Sequence, residues 1–116
     1  MTKQTIYALS TVYGKSGVAV IRVSGISSLK VIEQMTDINI NEIKPRYTYF
    51  TNIYDNNKNI LDKSLVIYFK APHSFTGEDI VEFHIHGSKA VISSVLDSFS
   101  KIDELMKNKS GLVYIL

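Results

Sequence analysis

A chain of 116 residues with 45% apolar and 21% charged residues has the makeup of one small globular domain. Its 13 basic residues are scattered among 11 acidic ones, for a formal net charge of +2, whereas dedicated nucleic-acid binders cluster Lys and Arg on one face. The absence of cysteine excludes disulfides, thiolate zinc sites and cysteine nucleophiles, and fits a cytoplasmic protein.

Met1-Thr2-Lys3-Gln4 leads straight into a strand-like run, with no apolar core or small-residue cleavage site of a secretory leader. The apolar runs fall far short of a membrane span, so a soluble cytoplasmic protein with no membrane partner is expected. Residues 6–9 and 18–23 read as two strands joined by Val12-Tyr13-Gly14-Lys15-Ser16-Gly17. Ser24-Gly25 stops the second strand. Ser27 or Ser28 can then cap a short helix whose apolar positions Leu29, Ile32 and Met35 recur at helical spacing. Residues 37–44 are polar and loop-like. Pro45 introduces an alternating strand over 46–54, and Asp55-Asn56-Asn57-Lys58-Asn59 is a turn, since Asn and Asp bond their own backbone. A strand over 64–70 completes a hairpin, a long polar loop follows over 71–79, and 80–86 is a further strand closed by Gly87. From Ser88 on, Val91, Ile92, Val95, Leu96, Phe99 and Ile102 form one apolar stripe on a helix. Residues 107–111 break that helix, and the apolar run 112–116 reads equally as an edge strand or as a segment that once led elsewhere. The expected fold class is α/β (α+β), a mixed sheet of about five strands with two helices packed on it. Repeats, linkers and low-complexity stretches are absent from the sequence.

Along Asp79-Ile80-Val81-Glu82-Phe83-His84-Ile85-His86, alternation places Val81, Phe83 and Ile85 on one face and Ile80, Glu82, His84 and His86 on the other. Three readings of that polar face compete. It can be an ordinary solvated face of an antiparallel strand. His84 and His86, with Glu82, can be metal ligands. Or Glu82 can recognise a ligand, because a carboxylate matches, with two parallel acceptors, the donor edge of a 2-amino-4-oxo-pyrimidine ring such as a pterin presents. Composition does not choose among them. Arg22 stands alone in the apolar run 18–23, where a guanidinium costs desolvation unless it is paired or reaches solvent along its stem. Its expected partner, on the functional reading, is Glu82 or a ligand carboxylate. Gly14-Lys15-Ser16 is no phosphate loop: that motif needs a glycine five positions before its Gly-Lys pair, where Leu9 stands, and it opens a helix instead of preceding a strand.

These residues resemble the N-terminal, tetrahydrofolate-binding domain of the MnmE (TrmE) family of tRNA-modifying GTPases. The segment from Gly14 to Gly25 looks like that family's opening strand-loop-strand, and Lys44-Pro45-Arg46-Tyr47 resembles its Pro-Arg-aromatic entry to the hairpin. Ser74-Phe75-Thr76-Gly77-Glu78-Asp79 followed by Glu82-Phe83-His84-Ile85-His86-Gly87 is similar to its Ser-Phe-Thr-Gly-Glu-Asp…Glu-x-His-x-His-Gly pattern. The similarity runs from about Gln4 to Glu104, which divides the chain into a family domain over 1–104 and a divergent tail over 105–116. The resemblance implies a domain that homodimerises and binds a 5-formyl-tetrahydrofolate-type cofactor near the dimer interface. It implies that Arg22, in the family's Arg-(Ile/Val)-Ser-Gly motif, and Glu82, the second Glu of Gly-Glu-Asp-x-x-Glu, contact the folate. GTP, Mg and K, and the partners MnmG and tRNA, belong to the full-length family. No catalytic or metal residue is carried over, and the chain is not expected to hydrolyse GTP alone.

The sequence also departs from the family. Val12-Tyr13 stands where proline is usual, and Leu105-Met106-Lys107-Asn108-Lys109-Ser110-Gly111 stands where a Pro-Gly-Glu-Phe…Asn-x-Lys motif supplies a folate-contacting lysine. The expectations that follow are a truncated, frame-shifted or split-gene product and a weakened folate affinity. Losing one buried charged contact costs a few kcal/mol, roughly a hundredfold in binding. A dimerisation module that has lost its ligand and a metal-dependent hydrolase using Glu82, His84 and His86 are the alternatives.

Overall fold

Val18-Ala19-Val20-Ile21-Arg22-Val23-Ser24 is dense in β-branched residues, which suit a pleated, packed surface, and it forms the second strand of the chain. The computed structural model describes residues 5–12, 17–102 and 105–107. In order these form β1 (Thr5–Val12), β2 (Val18–Ser24), α1 (Ser28–Met35), β3 (Thr48–Tyr54), β4 (Ile60–Phe69), β5 (Ile80–His86), α2 (Lys89–Ser100) and β6 (Leu105–Lys107). One sheet holds all six strands in the order β3-β4-β5-β2-β1-β6. Neighbours pair antiparallel except β6, which runs parallel to β1 through Thr5↔Leu105, Ile6↔Met106 and Tyr7↔Lys107. The expected mixed α/β sheet with two helices is what forms, with the short β6 added to the five strands read from sequence.

The differences in boundaries have local causes. β3 starts at Thr48 and not at 46, because Arg46 takes φ +66°, outside the extended region. β4 starts earlier than residue 64 because the preceding turn is tight. The Asp55 carboxylate accepts the backbone N–H groups of Asn57 (2.8 Å) and Asn59 (2.9 Å), and Asp55 N–H donates to the Asn59 carbonyl at 2.9 Å. The apolar run 112–116 lies outside the described residues, as do Tyr13 to Ser16 of the first connection.

Both helices pack on the sheet face that carries Ile21, Val23, Val81, Phe83 and Ile85. Val31, Ile32 and Met35 of α1 and Val95 and Phe99 of α2 are buried there, and Ile102 just beyond α2 joins them. Phe99 sets its ring edge-on to Tyr7 (centroids 5.3 Å apart) and Phe83 (5.4 Å), the arrangement aromatic quadrupoles favour. Val91, Ile92 and Leu96, the remainder of the stripe, lie partly buried against the same cluster. The Ser88 hydroxyl caps α2 by accepting the Val91 N–H at 3.2 Å. α1 is held differently. Ser27, at its N-cap, makes no side-chain cap bond, and the buried Ser28 hydroxyl instead lies within bonding distance of the carbonyls of Val23, Gly25 and Asp79. Among the described residues, no helix is long and apolar enough to cross a membrane.

Among the described residues, no helix packs on the opposite sheet face. The register lays it out in rows: Phe50, Leu65, His84 and Val20 across β3-β4-β5-β2, and beside them Thr48, Ile67, Glu82, Arg22 and Ala8, the last on β1.

Candidate functional site

Arg22 and Glu82 are direct cross-strand partners in the β2–β5 ladder, so their Cβ atoms rise side by side from the helix-free face. The Arg22 Nε–H donates to Glu82 Oε2 at 2.7 Å, a short charge-assisted bond. Two residues further along β5, on the same face, His84 Nε2 lies 2.9 Å from the other carboxylate oxygen, Oε1. One carboxylate thus sits between a guanidinium and an imidazole. Its side chain is 13% exposed, against 29% for Arg22 and 27% for His84. The hydrogen bond from His84 is the largest influence holding the Glu82 carboxyl below the usual carboxylate range. Burial opposes it, and the hydrogen bond and positive charge of Arg22 add to it. Glu82 is therefore an anion at neutral pH. Arg22 lies on an interior strand, which explains why a lone Arg can occupy that apolar run: its charge is met across the ladder instead of at an edge.

The loop over 71–79 folds toward this pair. Asp79 anchors its two ends: its carboxylate accepts Ala71 N–H (2.8 Å) and the Tyr68 hydroxyl (3.3 Å), while its carbonyl accepts Gly25 N–H (2.9 Å). Inside the loop the Ser74 hydroxyl donates to the Glu78 carbonyl, and Gly77 supplies the φ of +81° the turn requires. Thr76 and Ser24 share a hydroxyl–hydroxyl bond of 2.8 Å, which ties the loop to the end of β2. So pinned, the loop holds Phe75 with its ring centroid 5.8 Å from the Arg22 guanidinium carbon, yet leaves that ring 67% exposed. Phe75, Thr76 and Ser24 lie in the segments that carry the family resemblance, but nothing in the residue pattern marks them as neighbours of Arg22 and Glu82. An aromatic in a polar loop is a signal, but nothing local says which strand it will cover.

The two histidines part company. The His86 ring leaves Glu82 and pairs with Asp62 of β4 (Nδ1 to Oδ1 2.7 Å), whose other oxygen accepts the His86 backbone N–H at 2.9 Å and the Ser64 hydroxyl at 2.6 Å. Burial raises the Asp62 carboxyl, but these hydrogen bonds outweigh it and hold the group below its ordinary value. Glu82, His84 and His86 therefore form two separate pairs, and no group of three or more His, Asp or Glu side chains able to hold a metal is found among the described residues. A shallow cavity of about 170 Å³, lined by Val18, Phe50, Lys63, Leu65, His84 and His86 among others, adjoins the cluster. A larger one of about 330 Å³, lined by Asp37, Glu42, Tyr49 and Thr51 among others, includes neither Arg22 nor Glu82 in its lining.

The fold and this cluster define a small α/β domain that presents an acid–guanidinium–imidazole group on the sheet face opposite the two helices, beneath an aromatic loop. The family model described as "GTP-binding protein TrmE N-terminus" matches residues 5–110, and the chain belongs to that family. Proteins named "tRNA modification GTPase MnmE" are similar to it. That of Wolbachia sp. subsp. Drosophila simulans is 49% identical over 91% of this chain, that of Ehrlichia chaffeensis 52% over 84%, and that of Rickettsia typhi 42% over 93%. The matches cover 24%, 22% and 24% of those relatives, so the chain spans about a quarter of their length.

Proposed function

We propose that this chain is a folate-binding, self-associating module of a tRNA-modifying MnmE-type protein, and that its ligand is a 5-formyl-tetrahydrofolate. The observation that carries the reading is the Arg22–Glu82 pair, fixed by register on a helix-free face. A carboxylate has about four lone-pair sites. His84 and Arg22 each occupy one of its oxygens, which leaves acceptor capacity for the amino and ring N–H donors of a pterin. Because Glu82 stays ionised, it accepts from such a donor edge without first losing a proton. Arg22 then orients and neutralises the carboxylate, and Phe75 offers an exposed aromatic face beside it. The bound folate would supply a one-carbon unit. GTP hydrolysis and contact with MnmG and tRNA are assigned, on this reading, to the full-length protein. The exposed Val18, Phe50 and Leu65 on the same sheet face support self-association.

Isothermal titration with 5-formyl-tetrahydrofolate tests the reading. Saturable binding to the wild-type chain is expected, with affinity lowered roughly tenfold or more in Glu82→Gln, where one charge-assisted acceptor is lost. Heat that fails to saturate, or equal affinity in both proteins, returns the chain to a module that associates without folate.

A further inference from the structure

The corner where β4 runs into the 71–79 loop carries a second feature. A cavity of about 220 Å³ is lined by Pro45, Arg46, Lys70 and His73: two cations, an imidazole and, among the described residues, no carboxylate. None of the ion pairs among the described residues engages these side chains. In a chain whose 13 basic residues are otherwise mixed with 11 acidic ones, a hollow lined on one side by positive groups is a place where an anion gains from several charges at once. The backbone fixes the arrangement. Arg46 takes φ +66°, a conformation L residues rarely adopt, and its N–H is bonded to the Tyr68 carbonyl at 2.8 Å. His73 N–H is bonded to the Lys70 carbonyl at 2.9 Å, which folds the loop start back over the end of β4.

This corner is close to the Arg22–Glu82 pair. His73 stands two residues before Phe75, the ring beside Arg22, so their Cα atoms are within ~7 Å of each other. By register Ile67 faces Glu82. The Cα of Lys70, three residues beyond Ile67, is therefore ~11 Å from that of Glu82, one strand spacing across and three residues along. That span is of the order of the aminobenzoyl spacer between the pterin and the glutamate of a folate.

We propose that the Arg46–Lys70–His73 corner is an anion subsite that takes the carboxylates of an oligo-γ-glutamate tail, so that the site selects the polyglutamylated form of its ligand. The inference rests on the folate reading of Arg22 and Glu82. A small basic hollow suits the closely spaced carboxylates of a flexible tail, whereas an RNA backbone calls for a broader positive face.

The test titrates the 116-residue chain with the mono- and pentaglutamyl forms of 5-formyl-tetrahydrofolate, at low and high salt. A few surface ion pairs, each worth a few-fold, multiply to a preference of about tenfold for the pentaglutamyl form, and screening should erode it as salt rises. In the double variant Arg46→Gln/Lys70→Gln the preference should fall to about one, with affinity for the monoglutamyl form, whose own glutamate reaches the corner, falling by less than that for the pentaglutamyl form. Arg46 and Lys70 are exposed, so the variant is expected to keep the wild-type circular dichroism. Equal affinity of the two forms in the wild type, or a preference that survives in the variant, overturns the subsite and leaves the folate reading standing. Failure of both forms to bind overturns both. A variant that keeps the preference but loses affinity for a short RNA would assign the corner to RNA instead.

Discussion

Glu82 keeps its charge in a mostly buried position because donors meet it on both oxygens, and that makes it a lever on stability as well as on binding. Its folded-state pKa is lowered, chiefly by the His84 hydrogen bond and further by Arg22. A depressed carboxyl contributes stability that is fully present above the unfolded pKa, about 4.3, and is lost as pH falls through the folded value. Glu82→Gln is therefore expected to cost about 1–3 kcal/mol at neutral pH, where Arg22 loses its charged partner. The gap between variant and wild type should close as pH drops below the ordinary carboxylate range, where Glu82 is itself neutral. Urea denaturation of both proteins across that window checks it, and a constant gap would mean the carboxylate's charge is not what matters. Asp62, also lowered, titrates in the same direction but is common to both proteins, so it cancels in the comparison. Arg22 could be singled out in the sequence because a lone guanidinium is out of place in an apolar strand, and Glu82 because it alternates with two histidines on one strand face; the resemblance, and not the pattern, joined the two as ligand contacts. The pairing of Arg22 with that carboxylate across the ladder, and the departure of His86 to Asp62, could not be settled there, because those contacts follow from ladder register and strand ends across dozens of residues.

At the scale of elements, what could be read in advance were the parts whose pattern is local. The alternation of β5 and the apolar stripe of α2 are periodicities within a dozen residues, and both faces came out as read. The cap of α1 was hidden because Ser28 is held partly by the Asp79 carbonyl, 51 positions away. β6 was hidden because its three residues carry little pattern and are placed by pairing with β1 at the far end of the chain. The end of β5 adds a constraint of the same long-range kind. Gly87 N–H donates to the Gly17 carbonyl at 3.0 Å, and a Cβ at Gly87 would stand 2.9 Å from that oxygen. Backbone oxygen has no flexible end to swing aside, so Gly87→Ala must push β5 and the start of β2 apart. We expect a loss of about 1–3 kcal/mol, typical of overpacking, seen as a lower midpoint of thermal unfolding. An unchanged midpoint would show that the two strand ends separate freely.

For the whole molecule the decisive asymmetry is between the two faces of one sheet. One face is closed by α1 and α2 over a buried core, and the other leaves Val18 at 40%, Leu65 at 41% and Phe50 at 64% exposed. Phe50 and Leu65 are direct cross-strand partners, Leu65 faces His84, and Val18 lines the same cavity as all three. Phe50 and Leu65 form an exposed apolar pair, with Val18 across the shared cavity beyond His84, beside the row that holds Glu82 and Arg22, and exposed apolar patches of this kind mark contact surfaces. If a second copy covers this face, the polar cluster comes to lie at the edge of the contact, and association and ligand binding become linked. A charge placed in the apolar patch should then disrupt both, because an unpaired cation buried at an interface is costly. If this chain self-associates through that face as proposed, Leu65→Lys is expected to sediment as a monomer where the wild type sediments as a dimer, while the urea midpoint changes by little at this partly exposed position. It should weaken folate binding as well, although Leu65 is not among the groups proposed to contact the pterin. A variant that sediments as the wild type does would remove this face from the contact. One that is monomeric yet binds folate undiminished would separate association from ligand recognition.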